Sequence, residues 1–191
     1  YMLGLSATPW RRDRLSRLIY WYLGDVQHEV DKDHLVENGD ILRAEVITRD
    51  TDFRPYNDPV TEYSKMLSEL TQDNERNAMI CYDVSEVAKD NESGICLVLS
   101  DRKVHCQRLQ YILKQCLDTD STLLTGDLPT KQRQETVQRL NDGQIKVLIA
   151  TGQLIGEGFD CKSLSNLFFA TPVRFSGRVL QYLGRVLRPA P

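Results

Sequence analysis

The five cysteines of this 191-residue sequence include no C-x-x-C pair, and its three histidines lie at unrelated spacings. A structural zinc site needs such ligands at short, regular intervals, so a bound metal is not expected to organise the chain. Cys81, Cys96, Cys106, Cys116 and Cys161 read as reduced thiols, with Cys96 inside an apolar strand and Cys116 on an apolar helical face. Long apolar runs are missing too. Stretches such as Ile95 to Leu99 and Val147 to Ala150 fall far short of the ~20 residues that span a bilayer. No cationic segment followed by an apolar one opens the chain. These absences predict a soluble, cytoplasmic protein without a membrane partner. An initiator methionine is also lacking, as expected of a piece of a longer protein.

Positive charge is not in excess, and the net charge is −3. That excludes a uniformly basic wrapper for nucleic acid, but the average conceals an asymmetry. Residues 1–99 carry 11 Lys+Arg against 19 Asp+Glu, a balance of −8, and residues 100–191 carry 13 against 8, a balance of +5. A polyanion is therefore expected on the second half.

What is present is an ordinary globular composition, 41% hydrophobic and 27% charged, enough for one good core. Tyr1 to Leu5 reads as a strand ending in a turn at Ser6-Ala7-Thr8-Pro9. Arg11 to Leu23 reads as a helix with Leu15, Leu18, Ile19 and Tyr22 inward, stopped by Gly24. The cluster Tyr20-Trp21-Tyr22 is expected in a core rather than as a base-stacking platform. Asp25 to Pro59 is acidic and turn-rich, with a tight turn at Asn38-Gly39-Asp40 and a strand from Arg43 to Thr48. Thr61 to Val87 is helical, with Tyr63, Met66, Leu67 and Leu70 on one face and Ile80, Val84 and Val87 on another. Its break falls around Thr71 to Glu75.

From Ser93 strands and helices alternate. Strands are expected at Ile95 to Leu99, Thr122 to Leu124, Ile145 to Ala150 and Leu167 to Ala170. The helices lie near Val104 to Leu117, with Leu109, Ile112, Leu113 and Cys116 inward, and from Thr130 to Leu140. Asn141-Asp142-Gly143 stops the latter. The continuous apolar run at Ile95 is the mark of a parallel strand covered on both faces. The fold class is thus α/β, a parallel sheet flanked by helices with an N-terminal helical and irregular segment.

Ligands of such sheets bind beyond the carboxyl ends of the strands. After the first strand, Ser100, Asp101, Arg102 and Lys103 offer a hydroxyl and two cations to an anion, or simply cap the next helix. Thr125-Gly126-Asp127 is either a phosphate-approach loop or a plain turn. Thr151 follows the third strand, and Gly156-Glu157-Gly158-Phe159-Asp160 is a flexible loop or a ligand loop. In Gly177 to Pro189, helical spacing puts Arg178, Gln181, Arg185 and Arg188 on one face, with Gly184 beside them. That face is either solvated surface or a seat for phosphate.

Gln181, Gly184, Arg185 and Arg188 resemble the sixth motif (Q-x-x-G-R-x-x-R) of superfamily 2 helicases. Ala150-Thr151 with Gly156 to Asp160 resembles the fifth, and GLSATP with Arg12 and Asp13 the third. The E-G-x-D form looks like the DExH/DEAH-type restriction-translocase and excision-repair branch. DEAD-box members have arginine at the place of Glu157 and histidine at that of Gln181. The resemblance implies a RecA-like helicase C-terminal lobe over 93–191, an inter-lobe connection over 25–92, and the end of the first lobe over 1–24.

The same resemblance implies ATP with Mg²⁺ as cofactor, held mainly by the first RecA-like lobe of the parent chain. Arg185 and Arg188 would be arginine fingers with Gln181 beside them, and Gly158, Asp160 and Gly184 would meet the nucleotide. Ser100, Arg102, Thr125, Gly126 and Thr151 would contact the backbone of a nucleic acid, DNA rather than RNA. Ser6, Ala7 and Thr8 would couple hydrolysis to movement. No G-x-x-x-x-G-K-[ST] and no D-E-x-H box is present, so the chain alone is expected not to hydrolyse ATP. The alternative is a catalytically inactive RecA-like module that binds nucleic acid or protein, against which the intact Arg185 and Arg188 argue.

Overall fold

The computed structural model describes residues 2–6, 13, 15–38, 42, 44–90, 94–152 and 164–173. Its framework is a four-stranded parallel sheet in the order β2-β3-β1-β4. The strands are β1 (Ile95–Ser100), β2 (Thr122–Leu124), β3 (Val147–Thr151) and β4 (Leu164–Phe169). All six residues of β1 are buried, as its unbroken apolar run requires of a strand with neighbours on both edges and helices on both faces.

Alternation along β1 divides the core in two. Ile95, Leu97 and Leu99 pack with Leu124, Leu148 and Leu164 on one face, where α6 (Thr130–Asn141) contributes Leu140 and Val137. Cys96 and Val98 pack with Val147 and Ile149 on the other, against α4 (Asn74–Lys89) and α5 (Lys103–Leu117). Helix α5 buries Leu109 and Leu113 as expected. Cys116, expected inward, is exposed, while its neighbour Leu117 packs against the core at the end of α5. Burial pushes the Cys81 thiol up to about 12 and the Cys106 thiol up to about 11, so both stay protonated and inert.

The helical stretch before the sheet divides where its pattern breaks, into α3 (Tyr63–Gln72) and α4. Asp73 makes the break, ending α3 in extended backbone and capping α4 by accepting from the Arg76 N–H at 2.8 Å. Met66, Leu67 and Leu70 of α3 form a small cluster with Phe53 and Tyr63, which pins the upstream segment. Arg49 adds an ion pair to Asp83 of α4 at 2.9 Å. Helix α4, read from sequence as part of the inter-lobe connection, puts Cys81 and Val84 into the main core.

Upstream, several expectations differ from what is observed. Residues 2–6 and 44–50 form no strand. An apolar run becomes a strand only when an edge accepts its backbone groups, and among the described residues the sheet has four members, none from these segments. The first helix, α1, spans Ser16–Leu23 and ends at Gly24 with φ +81°, but it buries no residue. Trp21 and Tyr22 are 75% and 73% exposed, so the aromatic cluster is not core, because no layer among the described residues lies over it. A short helix, α2 (Lys32–Glu37), capped by Asp31, occupies the acidic segment where only turns were expected. Asn38 is in a turn, and Gly39 and Asp40 lie outside the described residues.

Candidate functional site

Parallel strands end at one edge, and the register shows which residues meet there. Ser100 lies opposite Thr151, and Leu124 opposite Ala150, so Thr125 and Gly126 follow directly beside them. Beyond β4, the Ala170 N–H donates to the Leu99 carbonyl at 2.8 Å, and the Asp101 N–H donates to Thr171 Oγ1 at 2.9 Å. Four of the five residues expected to grip a polymer backbone, Ser100, Thr151, Thr125 and Gly126, therefore stand in a row along the carboxyl edge. Arg102 follows two residues after Ser100.

Their surroundings differ. Ser100 is 1% exposed, and its hydroxyl faces inward to His105 Nδ1 at 2.9 Å. Arg102 is the N-cap of α5 in extended backbone, without a side-chain cap; neither Ser100 nor Asp101 fills that role. Its guanidinium turns to α3, where Nη2 donates to the Ser64 carbonyl at 3.2 Å and to Ser64 Oγ at 2.8 Å. Thr125 is buried, Thr151 half-buried and Gly126 exposed. A Cβ built on Gly126 meets nothing within 4 Å, and its φ is not positive. The fold itself thus has no need of a glycine at 126, and the open space leaves room for a ligand to approach the backbone.

Sequence reasoning missed Arg133 and Arg76, two of the groups that hold these loops. Arg133 of α6 donates to the Leu128 carbonyl at 2.9 Å and to the Gly126 carbonyl at 3.2 Å, bracing the turn closed by the Leu128 N–H on the Thr125 carbonyl. Lys103 pairs with Asp127 and ties the two loops together; both side chains are exposed, so the pair adds little stability. Arg76 of α4 donates from Nη2 to the Ala170 carbonyl at 2.8 Å. Desolvation is the main cause of its lowered pKa, partly offset by Asp73. One N–H group each of Arg76 (Nη1) and Arg102 (Nε) is buried without a partner among the described residues. Two such donors near one sheet edge fit an anion. The available signal was positional: Arg133 stands on the first turn of the helix after the loop, and Arg76 stands three residues after the break at Asp73, on the first turn of α4.

Ser6 is described and exposed, while Ala7 and Thr8 lie outside the described residues. So do Gly158, Asp160, Gln181, Gly184, Arg185, Arg188 and Cys161. Among the described residues no group of three His, Cys, Asp or Glu side chains could hold a metal ion, and no helix is long and apolar enough to cross a membrane.

The family model described as the helicase conserved C-terminal domain matches residues 75–190, more than half of the chain. A provisionally named helicase, number 22, of the Sulfolobus islandicus filamentous virus is 25% identical over 197 residues, covering 97% of this chain and 35% of that protein. This chain thus spans well under half the length of the curated relatives it matches first. One of these, from Acanthamoeba polyphaga mimivirus, is provisionally named as an ATP-dependent RNA helicase, and a protein of Xenopus laevis that is 30% identical over 59% of this chain and 26% of its own length is named as one. Among solved structures, UvsW of phage T4 matches with a TM-score of 0.56 at 16% identity, over 66% of this chain and 25% of that one. The E. coli DEAD-box protein SrmB, solved with the regulator of ribonuclease activity A, matches with a TM-score of 0.51 at 23% identity, over 61% of this chain and 65% of that one. At such identities these two likenesses speak for the RecA-like fold alone.

Proposed function

Because the chain belongs to the helicase conserved C-terminal domain family, we propose that it supplies the second motor lobe of an ATP-dependent superfamily 2 helicase or translocase. The observation that carries this reading is the row of Ser100, Thr151, Thr125 and Gly126 on the carboxyl edge of the sheet. It suits a sugar-phosphate backbone, which is gripped without regard to sequence. Gly126 would let the strand come close, Arg102 and Thr151 would border it, and Thr125 and Ser100 would shape the loops from within. The buried N–H groups of Arg76 and Arg102 that have no partner among the described residues suit an anion at this edge.

In this reading Arg185 and Arg188 are arginine fingers acting with Gln181 on a γ-phosphoryl group, an effect worth about 10³ to 10⁵ in rate. Gly158, Asp160 and Gly184 meet the nucleotide, and Ser6, Ala7 and Thr8 couple its hydrolysis to movement. The first lobe holds ATP and Mg²⁺, since the chain carries no phosphate-cradling G-x-x-x-x-G-K-[ST]. Residues 1–24 close that first lobe, 25–92 connect, and 93–191 form the second lobe, with α4 of the connection completing its core. The E-G-x-D and Q-x-x-G-R-x-x-R forms favour the restriction-translocase and excision-repair branch, with DNA as the track; we take the cytoplasm as the place of work.

The test is steady-state ATP hydrolysis by the full-length protein without polymer, with DNA and with RNA, for wild type and Arg188→Ala. Stimulation by DNA beyond RNA, lost in Arg188→Ala by at least about 10³-fold while ATP still binds, is the expected result. Stimulation by RNA alone would reverse the choice of track. No hydrolysis in any condition would sink the motor reading and leave a binding module.

A further inference from the structure

A buried chain of hydrogen bonds runs from the α3–α4 break to the loop after β1, and of its members the sequence showed only Ser100 and Arg102 as functional candidates. Asn77 is fully buried and His105 is 1% exposed. Asn77 Nδ2 donates to the Thr71 carbonyl at 3.0 Å, which turns Asn77 Oδ1 toward the imidazole, 2.8 Å from His105 Nε2. The amide oxygen can only accept, so Nε2 carries the proton and Nδ1 is left as an acceptor. Ser100 must then donate its hydroxyl proton to Nδ1, across 2.9 Å. The freed lone pairs of Ser100 Oγ accept from the Arg102 N–H at 3.1 Å.

The chain thus has one direction, and each member's proton is committed. It starts at the last turn of α3 and ends on the first residue of the loop's exit. The Arg102 guanidinium returns to α3 at Ser64, so the circuit closes around the loop. A packed apolar core would hold helices as firmly at less desolvation cost, whereas a satisfied polar network selects one arrangement of the backbone.

We propose that Asn77 and His105 are positioning residues that set the Asp101–Arg102 loop, through Ser100, for its contact with the polymer. The proposal rests on the reading of this edge as a nucleic-acid grip. The two residues touch neither polymer nor nucleotide; they act by fixing the direction of the Ser100 hydroxyl and hence the Arg102 amide.

Two measurements on the full-length protein test it, comparing wild type with His105→Gln and Asn77→Leu. His105→Gln can keep a donor toward Asn77 but loses the acceptor for Ser100, and Asn77→Leu removes the group that orients the ring. First, ATP hydrolysis is followed against the concentration of whichever homopolymer, poly(dT) or poly(U), stimulates the wild type. The half-saturating polymer concentration should rise about tenfold in both variants, with kcat at saturation held within about twofold. Second, amide exchange of the segment 100–106 should be about tenfold faster than in wild type, while the β3 segment is unchanged. A proportional fall in kcat in step with melting temperature, or no change in either measurement, would overturn the proposal. A wild type that no polymer stimulates would instead refute the functional reading, and exchange at 100–106 would then decide the positioning by itself: equal rates in wild type and variants overturn it, and faster exchange in both variants upholds it.

Discussion

At the scale of single residues, His105 carries a pH dependence that follows from its burial. Desolvation, and then the charges of Arg76 and Arg108, push its pKa down from 6.5 to about 4. The folded chain therefore holds the ring neutral, while the unfolded chain takes up a proton below 6.5. Its contribution to stability is complete above about pH 6.5 and disappears as the pH falls to about 4. By linkage, the chain should be less stable at pH 5 than at pH 8 by on the order of 2 kcal/mol from this ring alone. Urea midpoints at the two pH values measure it, and His105→Gln should remove that part of the difference. An equal pH dependence in the variant would show that other groups are responsible. No spacing could have indicated this residue: its partners Asn77 and Ser100 lie 28 and 5 positions away, and only folding brings them to one imidazole.

Elements are joined by loops in which two glycines do different things. Gly143 follows the C-cap of α6 with φ +71°, a conformation that costs an L side chain about 1–2 kcal/mol. Gly126 has no such φ and has open space around it. Gly143→Ala should therefore lower stability by about 1 kcal/mol, and Gly126→Ala should leave it unchanged or raise it by roughly 0.4–1 kcal/mol. Chemical denaturation distinguishes them, and a destabilising Gly126→Ala would contradict the reading of open space left for a ligand. Most elements of the second half were legible because neighbouring residues encode them. The apolar run of β1, the stop after α6 and the break at Asp73 each follow from local pattern. β4 starts three residues before its expected Leu167, since Leu164 is held by pairing with Ile95. The strand expected from Arg43 to Thr48, absent at the described residues 44–48, and the expected inward face of α1 failed for one reason: pattern proposes a face, and a partner must cover it.

On the scale of the whole molecule, β1 is the keystone, with β3 on one side and β4 on the other. Leu97 is fully buried at its centre, and Leu97→Ala should cost about 2–5 kcal/mol, visible as a lowered denaturation midpoint. A loss well under 1 kcal/mol would mean that the two halves of the core are not joined through β1. By itself the sequence determined the α/β class, most strands and helices of the second half, and the motif residues that point to a helicase C-terminal lobe. These depend on hydrophobic period, turn chemistry and short spacings, which act between near neighbours. Tertiary structure alone decided the strand order, the row of Ser100, Thr151, Thr125 and Gly126, and the inward turn of the Ser100 hydroxyl. It also recruited Asn77, Arg76 and Arg133. Those outcomes depend on which faces meet across the sheet, and a buried polar group takes its partner from whatever the packing brings within reach.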